Sequence, residues 1–213
     1  MGFRGLKSVS SQSAARSLSC GRFHSTAVTS CGRVFTWGVA GATGRLGIEV
    51  SKPCREAVVV EPTQLPQFGP GRHHAVKVAT GKDHTLALSS AGKLLVWGSN
   101  ERGQLGQGGE NLLTPVVLKA GRGWFSLGGS CQAAALKRVS DIAAGSAHSL
   151  CISDGHVFAW GCNAYGALGL GAPPTGPSWS TQPQGLPHVK AAHFLAACGH
   201  AAWLCGGVVG SLR

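Results

Sequence analysis

Gly81-Lys-Asp-His84-Thr-Leu-Ala-Leu88, then Gly92-Lys-Leu-Leu-Val-Trp97-Gly98, then Gly103-Gln-Leu-Gly106, is the stretch whose reading decides the fold. Just before it, Val76-Lys-Val-Ala79 alternates apolar and polar residues as a half-buried strand does. Thr85–Leu88 predicts a second strand. Ser89-Ser-Ala-Gly92 predicts a hairpin loop whose glycine can turn left-handed, and Leu94–Trp97 the strand that returns. Asn100-Glu-Arg-Gly-Gln-Leu-Gly106 is a polar loop punctuated by glycine. Pro115-Val-Val-Leu118 predicts an outer strand, where a leading proline is tolerated. Four short antiparallel strands in a meander form a blade, which cannot bury both of its faces alone and must stack on neighbours.

The same unit occurs on either side. Upstream run Gly21-Arg-Phe-His24, Gly32-Arg-Val-Phe-Thr-Trp37-Gly38 and Gly44-Arg-Leu-Gly47; downstream run Gly145-Ser-Ala-His148, Gly155-His-Val-Phe-Ala-Trp160-Gly161 and Gly166-Ala-Leu-Gly169. The step from His to Trp is 13, 13 and 12 residues (24 to 37, 84 to 97, 148 to 160). From one His to the next it is 60 and then 64 (24 to 84, 84 to 148), so the connecting segments absorb the variation in length. A fixed register at this period is the signature of a repeat architecture. The chain divides into a basic, Ser-rich segment 1–17, repeat 1 at 18–75, repeat 2 at 76–138 with an insertion near 121–131, repeat 3 at 139–188, and a degenerate or truncated fourth repeat at 189–213.

Composition agrees with an all-β chain. There are 33 Gly among 213 residues and only 13% charged residues, which suits short strands joined by tight turns, while 43% hydrophobic residues is too many for a disordered chain. The net charge of +11 comes from basic residues scattered singly, which describes a basic solvated surface more than a dedicated nucleic-acid site. Eight cysteines include no C-x-x-C pair, so neither a zinc ribbon nor a redox motif is indicated, and reduced thiols in an intracellular, cytoplasmic or nuclear protein are expected. Residues 1–17, with Arg4, Lys7, Arg16 and several Ser, have the composition of a mitochondrial transit peptide or of a frayed basic start. Residues 191–212 carry no Asp, Glu, Lys or Arg, yet His193, His200 and frequent Gly speak against a membrane span.

These motifs resemble the repeats of the regulator-of-chromosome-condensation family: the Gly-x-x-His, the strand ending in Trp-Gly and the Gly-Gln-Leu-Gly loop, over roughly residues 15 to 200. The resemblance implies a β-propeller of four-stranded antiparallel blades. At about sixty residues per repeat, this chain would hold about half of the seven blades that close such a ring. Family members include guanine-nucleotide exchange factors for small GTPases, scaffolds, ubiquitin-ligase modules, ciliary regulators and mitochondrial factors. In the exchange factors, acidic and His residues of the Gly-x-x-His loops face the GTPase. Here those variable pairs are Arg22-Phe23, Lys82-Asp83 and Ser146-Ala147, which makes Lys82 and Asp83 the candidate partner-binding loop.

The remaining repeated residues read as structural. His24, His84 and His148 occupy one slot of successive blades, which points to service within the blade, by hydrogen-bonding a turn, and away from metal or base roles. Trp37, Trp97 and Trp160 read as core, and Gly21, Gly38, Gly47, Gly81, Gly98, Gly106, Gly145, Gly161 and Gly169 as the glycines that the turns need. Asn100 and Asn163 suit turns. Gly103–Gly108 shares glycines with phosphate-binding loops but lacks their order, the following helix and the Lys-Ser/Thr, so it is a turn. No carboxylate pair, nucleophile triad, cofactor site or metal-ligand cluster is legible. The expectation is a non-enzymatic module that binds a protein partner. Exchange activity on a small GTPase, and chromatin or nucleic-acid binding through basic surface, are the alternatives.

Overall fold

The alternation and turn chemistry above place strands where the chain can bury one face against the preceding blade and the other against the next. A computed structural model describes residues 14–49, 57–118, 136 and 138–169, and the backbone of the strands within 179–211. The chain is all-β. Blade 1 comprises β1 (Ala15–Cys20), β2 (His24–Thr29), β3 (Val34–Val39) and β4 (Val58–Gln64); blade 2 comprises β5 (Ala75–Thr80), β6 (His84–Ser89), β7 (Leu94–Gly98) and β8 (Leu112–Val117). Blade 3 comprises β9 (Val139–Ala144), β10 (His148–Ser153), β11 (His156–Cys162) and β12 (Trp179–Lys190), and a last sheet comprises β13 (His193–Ala197), β14 (His200–Cys205) and β15 (Val208–Ser211). Each sheet is an antiparallel meander in chain order.

The first strands of successive sheets are neighbours, β1 with β5, β5 with β9 and β9 with β13, so they form the inner row and β4, β8 and β12 the outer one. The described blades do not close into a ring, so the architecture is an incomplete propeller. The insertion read near 121–131 and residues 1–13 lie outside the described residues. β1 starts at Ala15, three residues ahead of the repeat start read at 18, and β12 runs across the boundary read at 188.

Burial explains the apolar content of the middle strands. All six residues of β6 are buried. Leu86 and Leu88 point into a core shared with Ile142, Cys151, Phe158 and Trp160 of blade 3. Ala87 points the other way, into a core shared with Val28, Val34 and Leu65 of blade 1. The outer strand differs from its sequence reading. β8 begins at Leu112, so Pro115 sits inside it and not at its head. An outermost strand has one side free of ladder hydrogen bonds, so the missing N–H is tolerated there.

The last Gly of the first two Gly-x-Leu-Gly loops, Gly47 and Gly106, is demanded twice over, by its positive φ and by the tryptophan of the next blade. Gly106 has φ +71°, and a Cβ there would lie 2.8 Å from Trp160 Nε1 of the next blade, in a ring that is fully buried. Gly71 has nearly the same φ, +73°, with nothing within 4 Å of a Cβ. Gly71→Ala is expected to cost only the left-handed backbone penalty, ~1–2 kcal/mol. Gly106→Ala is expected to cost that plus ~1–3 kcal/mol for displacing a packed indole. Urea midpoints of the two variants check the difference, and equal costs would contradict the blade junction described here.

Candidate functional site

The three Gly-x-x-His loops lie side by side on one rim and are tied through their backbones. Arg22 N–H donates to Lys82 O at 3.2 Å, and Lys82 N–H donates to Ser146 O at 2.9 Å. Gly81 is required here by proximity: a Cβ would sit 2.5 Å from Gly145 O and closer still to the His84 ring. The sequence reading gave the histidines a turn of their own blade. Instead the rings of His24 and His84 cross to the next blade, His24 Nε2 to Thr85 Oγ1 at 2.9 Å and His84 Nε2 to Ser149 Oγ at 3.0 Å. The turn's glycine makes room for this: a Cβ at Gly21 would lie 2.3 Å from His24 Cε1, so without it the ring lies against the turn and reaches across the junction. The tryptophans span the same junction, with Trp97 Nε1–H donating to Arg45 O at 3.1 Å and Trp160 Nε1–H to Gln104 O at 2.9 Å.

Burial sets the charge state of these histidines. His24 is held down to about 4, chiefly by desolvation and then by the Arg45 charge. His84 is held down to about 3 by desolvation, then by His148 and His24. Both are neutral at pH 7, as interior hydrogen-bonding groups should be. Cys151, fully buried, has its thiol pushed far up by desolvation and is a packing residue. Cys20, Cys31, Cys151 and Cys162 are free thiols. Among the described residues no group of three His, Cys, Asp or Glu is placed to hold a metal ion, and no helix is long and apolar enough to cross a membrane.

The solvent side of the rim is built from the variable residues. Phe23 is 48% exposed, with the Arg22 guanidinium 4.6 Å and the Arg45 guanidinium 5.6 Å from its ring centroid. Arg45 also meets Asp83 at 2.9 Å across the blade junction, in charge contact without hydrogen-bond alignment. Lys82 is exposed and Asp83 half-buried. Behind this ridge, Asn100 fastens the β7–β8 loop: its Oδ1 accepts Leu105 N–H at 3.0 Å and its Nδ2 donates to Gln107 O at 2.8 Å. Asn163 Oδ1 accepts Leu168 N–H at 3.0 Å in the same way. Gly103–Gly106 closes as a turn, with Gly106 N–H bonded to Gly103 O.

The regulator of chromosome condensation (RCC1) repeat matches residues 31–88, 91–152 and 154–204, and a second form of that repeat matches 75–104 and 139–167. The chain belongs to this family. Among curated RCC1-repeat proteins it is 34% identical over 147 residues to Protein pim1 of Schizosaccharomyces pombe, covering 68% of this chain and 26% of pim1. It is 35% identical over 157 residues to the ultraviolet-B receptor UVR8 of Arabidopsis thaliana, covering 72% of this chain and 31% of UVR8. The chain thus spans about a third or less of these relatives. Among solved structures, human WBSCR16 matches with a TM-score of 0.67 at 25% identity, over 89% of this chain and 45% of that one. Prp20p of Saccharomyces cerevisiae matches with a TM-score of 0.62 at 21% identity, over 80% of this chain and 38% of that one, a likeness of fold.

With the RCC1 register in hand, the sequence-selected residues sort by location. His24, His84, Trp97, Trp160, Gly81 and Gly106 lie at blade junctions. Lys82 and Asp83 lie on the rim, with Asp83 turned toward Arg45. Sequence reasoning did not single out Arg45 or the exposed ring of Phe23. An aromatic in a slot that holds Asp83 and Ala147 in the other repeats was the available signal for Phe23. Nothing in the spacing announces that Arg45 bridges to the next blade.

Proposed function

We propose that this chain is a protein-interaction module with no chemistry of its own, binding a protein partner on the rim of Gly-x-x-His loops. The observation that carries this reading is the ridge of Arg22, Phe23, Arg45, Lys82 and Asp83 on a backbone-tied base. An exposed aromatic flanked by guanidinium groups on a rigid support is the composition of interface hot spots. The family supports the same reading, since its repeats occur in proteins as different as pim1 and the ultraviolet-B receptor UVR8, a fold shared across unlike functions.

The second reading is regulation of guanine-nucleotide exchange on a small GTPase. Its support is Prp20p, whose structure was studied together with its binding to Gsp1p and histones. A nucleic-acid or chromatin reading draws on the opposite rim, where Arg33, Arg72, Lys93 and Arg138 are partly or fully exposed near the β2–β3 and β6–β7 turns. Phe23→Ala combined with Lys82→Ala is expected to weaken partner capture about tenfold or more while leaving the circular dichroism spectrum unchanged. A panel of small GTPases loaded with fluorescent guanine nucleotide separates the first two readings. Accelerated release that the double variant loses supports exchange; capture without accelerated release supports a module that only binds. Nucleic-acid binding is expected to weaken steeply with salt, so a flat salt response removes that reading.

A further inference from the structure

One groove of this molecule is lined by cations and hydrogen-bond donors, with no carboxylate among its described lining. It lies on the rim opposite the Gly-x-x-His loops, where the link from β4 to β5 meets the β6–β7 hairpin, and has a volume of about 580 Å³. Arg72, His73 and His74 line it from the link, Ser89 and Lys93 from the hairpin. A groove on the other rim has the opposite character, with Glu101 and Glu110 in its wall and no base. Neither Arg72 nor Lys93 forms an ion pair among the described residues, so the positive charge of the first groove is uncompensated there.

The walls are fixed before any ligand arrives. Leu65 and Phe68 anchor the link in the core, and within it Arg72 N–H donates to Gly69 O and His73 N–H to Gln67 O. Arg72 Nη1 donates to Pro66 O at 2.6 Å, which holds the guanidinium against the loop and leaves its other N–H groups for a ligand. Ser90 N–H donates to His74 O at 2.8 Å and joins the two walls. The His74 ring packs on Gly32 of blade 1, where a Cβ would lie 2.5 Å from its Cγ, so the groove is built at a blade junction. Ser89 is 3% exposed, and its Oγ accepts the Lys93 N–H at 3.0 Å, which leaves the hydroxyl proton to donate. Gln67 Oε1, in the same wall, is buried with no partner, so that amide is uncommitted as well.

Donors and cations around one cavity fit an oxyanion, and the charge selects which. A phosphate monoester carries about −1.5 to −2 at pH 7, which the two permanent cations match. Nucleic-acid phosphates are strung along a backbone and call for cations in a row. The volume falls in the range of ~300–1,000 Å³ usual for ligand sites. We infer that the groove between the β4–β5 link and the β6–β7 hairpin is a binding site for a phosphate monoester. Arg72 and Lys93 neutralise it, while the Ser89 hydroxyl and the ring N–H groups of His73 and His74 bond its oxygens. The group is borne by a phosphorylated side chain of a partner or by a small phosphorylated molecule. The site lies on the other rim from the Phe23 ridge, so it is independent of the partner-binding reading above.

Isothermal titration calorimetry of the full 213-residue chain at low ionic strength tests it. The probes are inorganic phosphate, a blocked Gly-phosphoserine-Gly tripeptide and the same tripeptide without its phosphate. Saturable binding of the first two and none of the third is expected. A phosphorylated tripeptide that binds more tightly than inorganic phosphate assigns the site to a partner's side chain; the reverse order assigns it to a small phosphorylated molecule. Arg72 and Lys93 are exposed, so Arg72→Gln and Lys93→Gln leave the fold intact, and each is expected to weaken phosphate binding about fivefold. Arg102→Gln, on the β7–β8 loop of the opposite rim, is expected to leave it unchanged. No saturable binding of either phosphorylated probe overturns the proposal, as does equal affinity for the two tripeptides or a loss no greater in the groove variants than in Arg102→Gln. A DNA duplex that binds through Arg72 and Lys93 while the phosphorylated probes do not overturns the monoester and makes this rim a nucleic-acid surface.

Discussion

Lowering the pH from 7 to 4 is expected to strip several kcal/mol from the folding stability of this protein, with the blade junctions failing first. His24 and His84 are neutral in the folded chain, held to about 4 and about 3. In the unfolded chain both return to the ordinary value near 6.5. Their folded values lie below their unfolded ones, so between these limits the unfolded state binds more protons and stability rises with pH. The contribution is complete above about pH 6.5 and is lost progressively as pH falls toward 4 and 3. Each unit of difference is worth ~1.4 kcal/mol, and two such groups make a large fraction of a normal stability of ~5–15 kcal/mol. Urea midpoints at pH 7, 5.5 and 4.5 read the effect. His84→Gln keeps a hydrogen-bonding side chain without the titration, and is expected to flatten the slope while lowering stability at pH 7. An unchanged slope in that variant would mean that the acid sensitivity arises elsewhere.

The repeat itself was legible because propeller blades write their constraints at fixed offsets. Gly-x-x-His, Trp-Gly and Gly-x-Leu-Gly recur in register, and the strands β5, β6 and β7 fall within a residue of their sequence-based limits. What lay beyond the sequence was which partner each repeated residue would find. A histidine in a glycine turn can bond its own turn or a neighbour, and only the stacking of blades puts Thr85 and Ser149 within reach. The same holds for Arg45, whose neighbours Phe23 and Asp83 come from different blades. It holds again for Lys77 and Asp141, an ion pair between the inner strands β5 and β9 that are 64 residues apart. Periodicity reports what a residue does for its own strand; contacts between repeats depend on the angle and spacing of stacked sheets, which no single repeat encodes. Of the candidate site, the sequence offered Lys82 and Asp83 as a pair of variable loop residues, while the aromatic centre of the ridge emerged from exposure.

The second large effect is expected from Trp97→Ala, and its value lies in comparison with Trp37→Ala. Trp97 is fully buried, packs against Phe68 with ring centroids 6.1 Å apart, and belongs to the core that joins blades 1 and 2. Its truncation is expected to cost ~3–5 kcal/mol, the usual penalty for emptying a large aromatic site. Trp37 holds the same slot in blade 1 but is partly exposed, with no described blade packed against it, so its truncation is expected to cost much less. In a stacked repeat, stability is a sum of terms within blades and terms between neighbours. Trp97→Ala removes mostly a neighbour term. Denaturation followed by circular dichroism is therefore expected to lose its single sharp transition and resolve an earlier step in which blade 1 separates from blades 2 and 3. Equal costs for Trp37→Ala and Trp97→Ala would mean that the tryptophans support their own blades and that the junctions contribute little. A far larger cost at Trp97 places the cohesion of this RCC1-repeat chain between its blades, where the histidines, the Gly-x-Leu-Gly loops and the Lys77–Asp141 pair also converge.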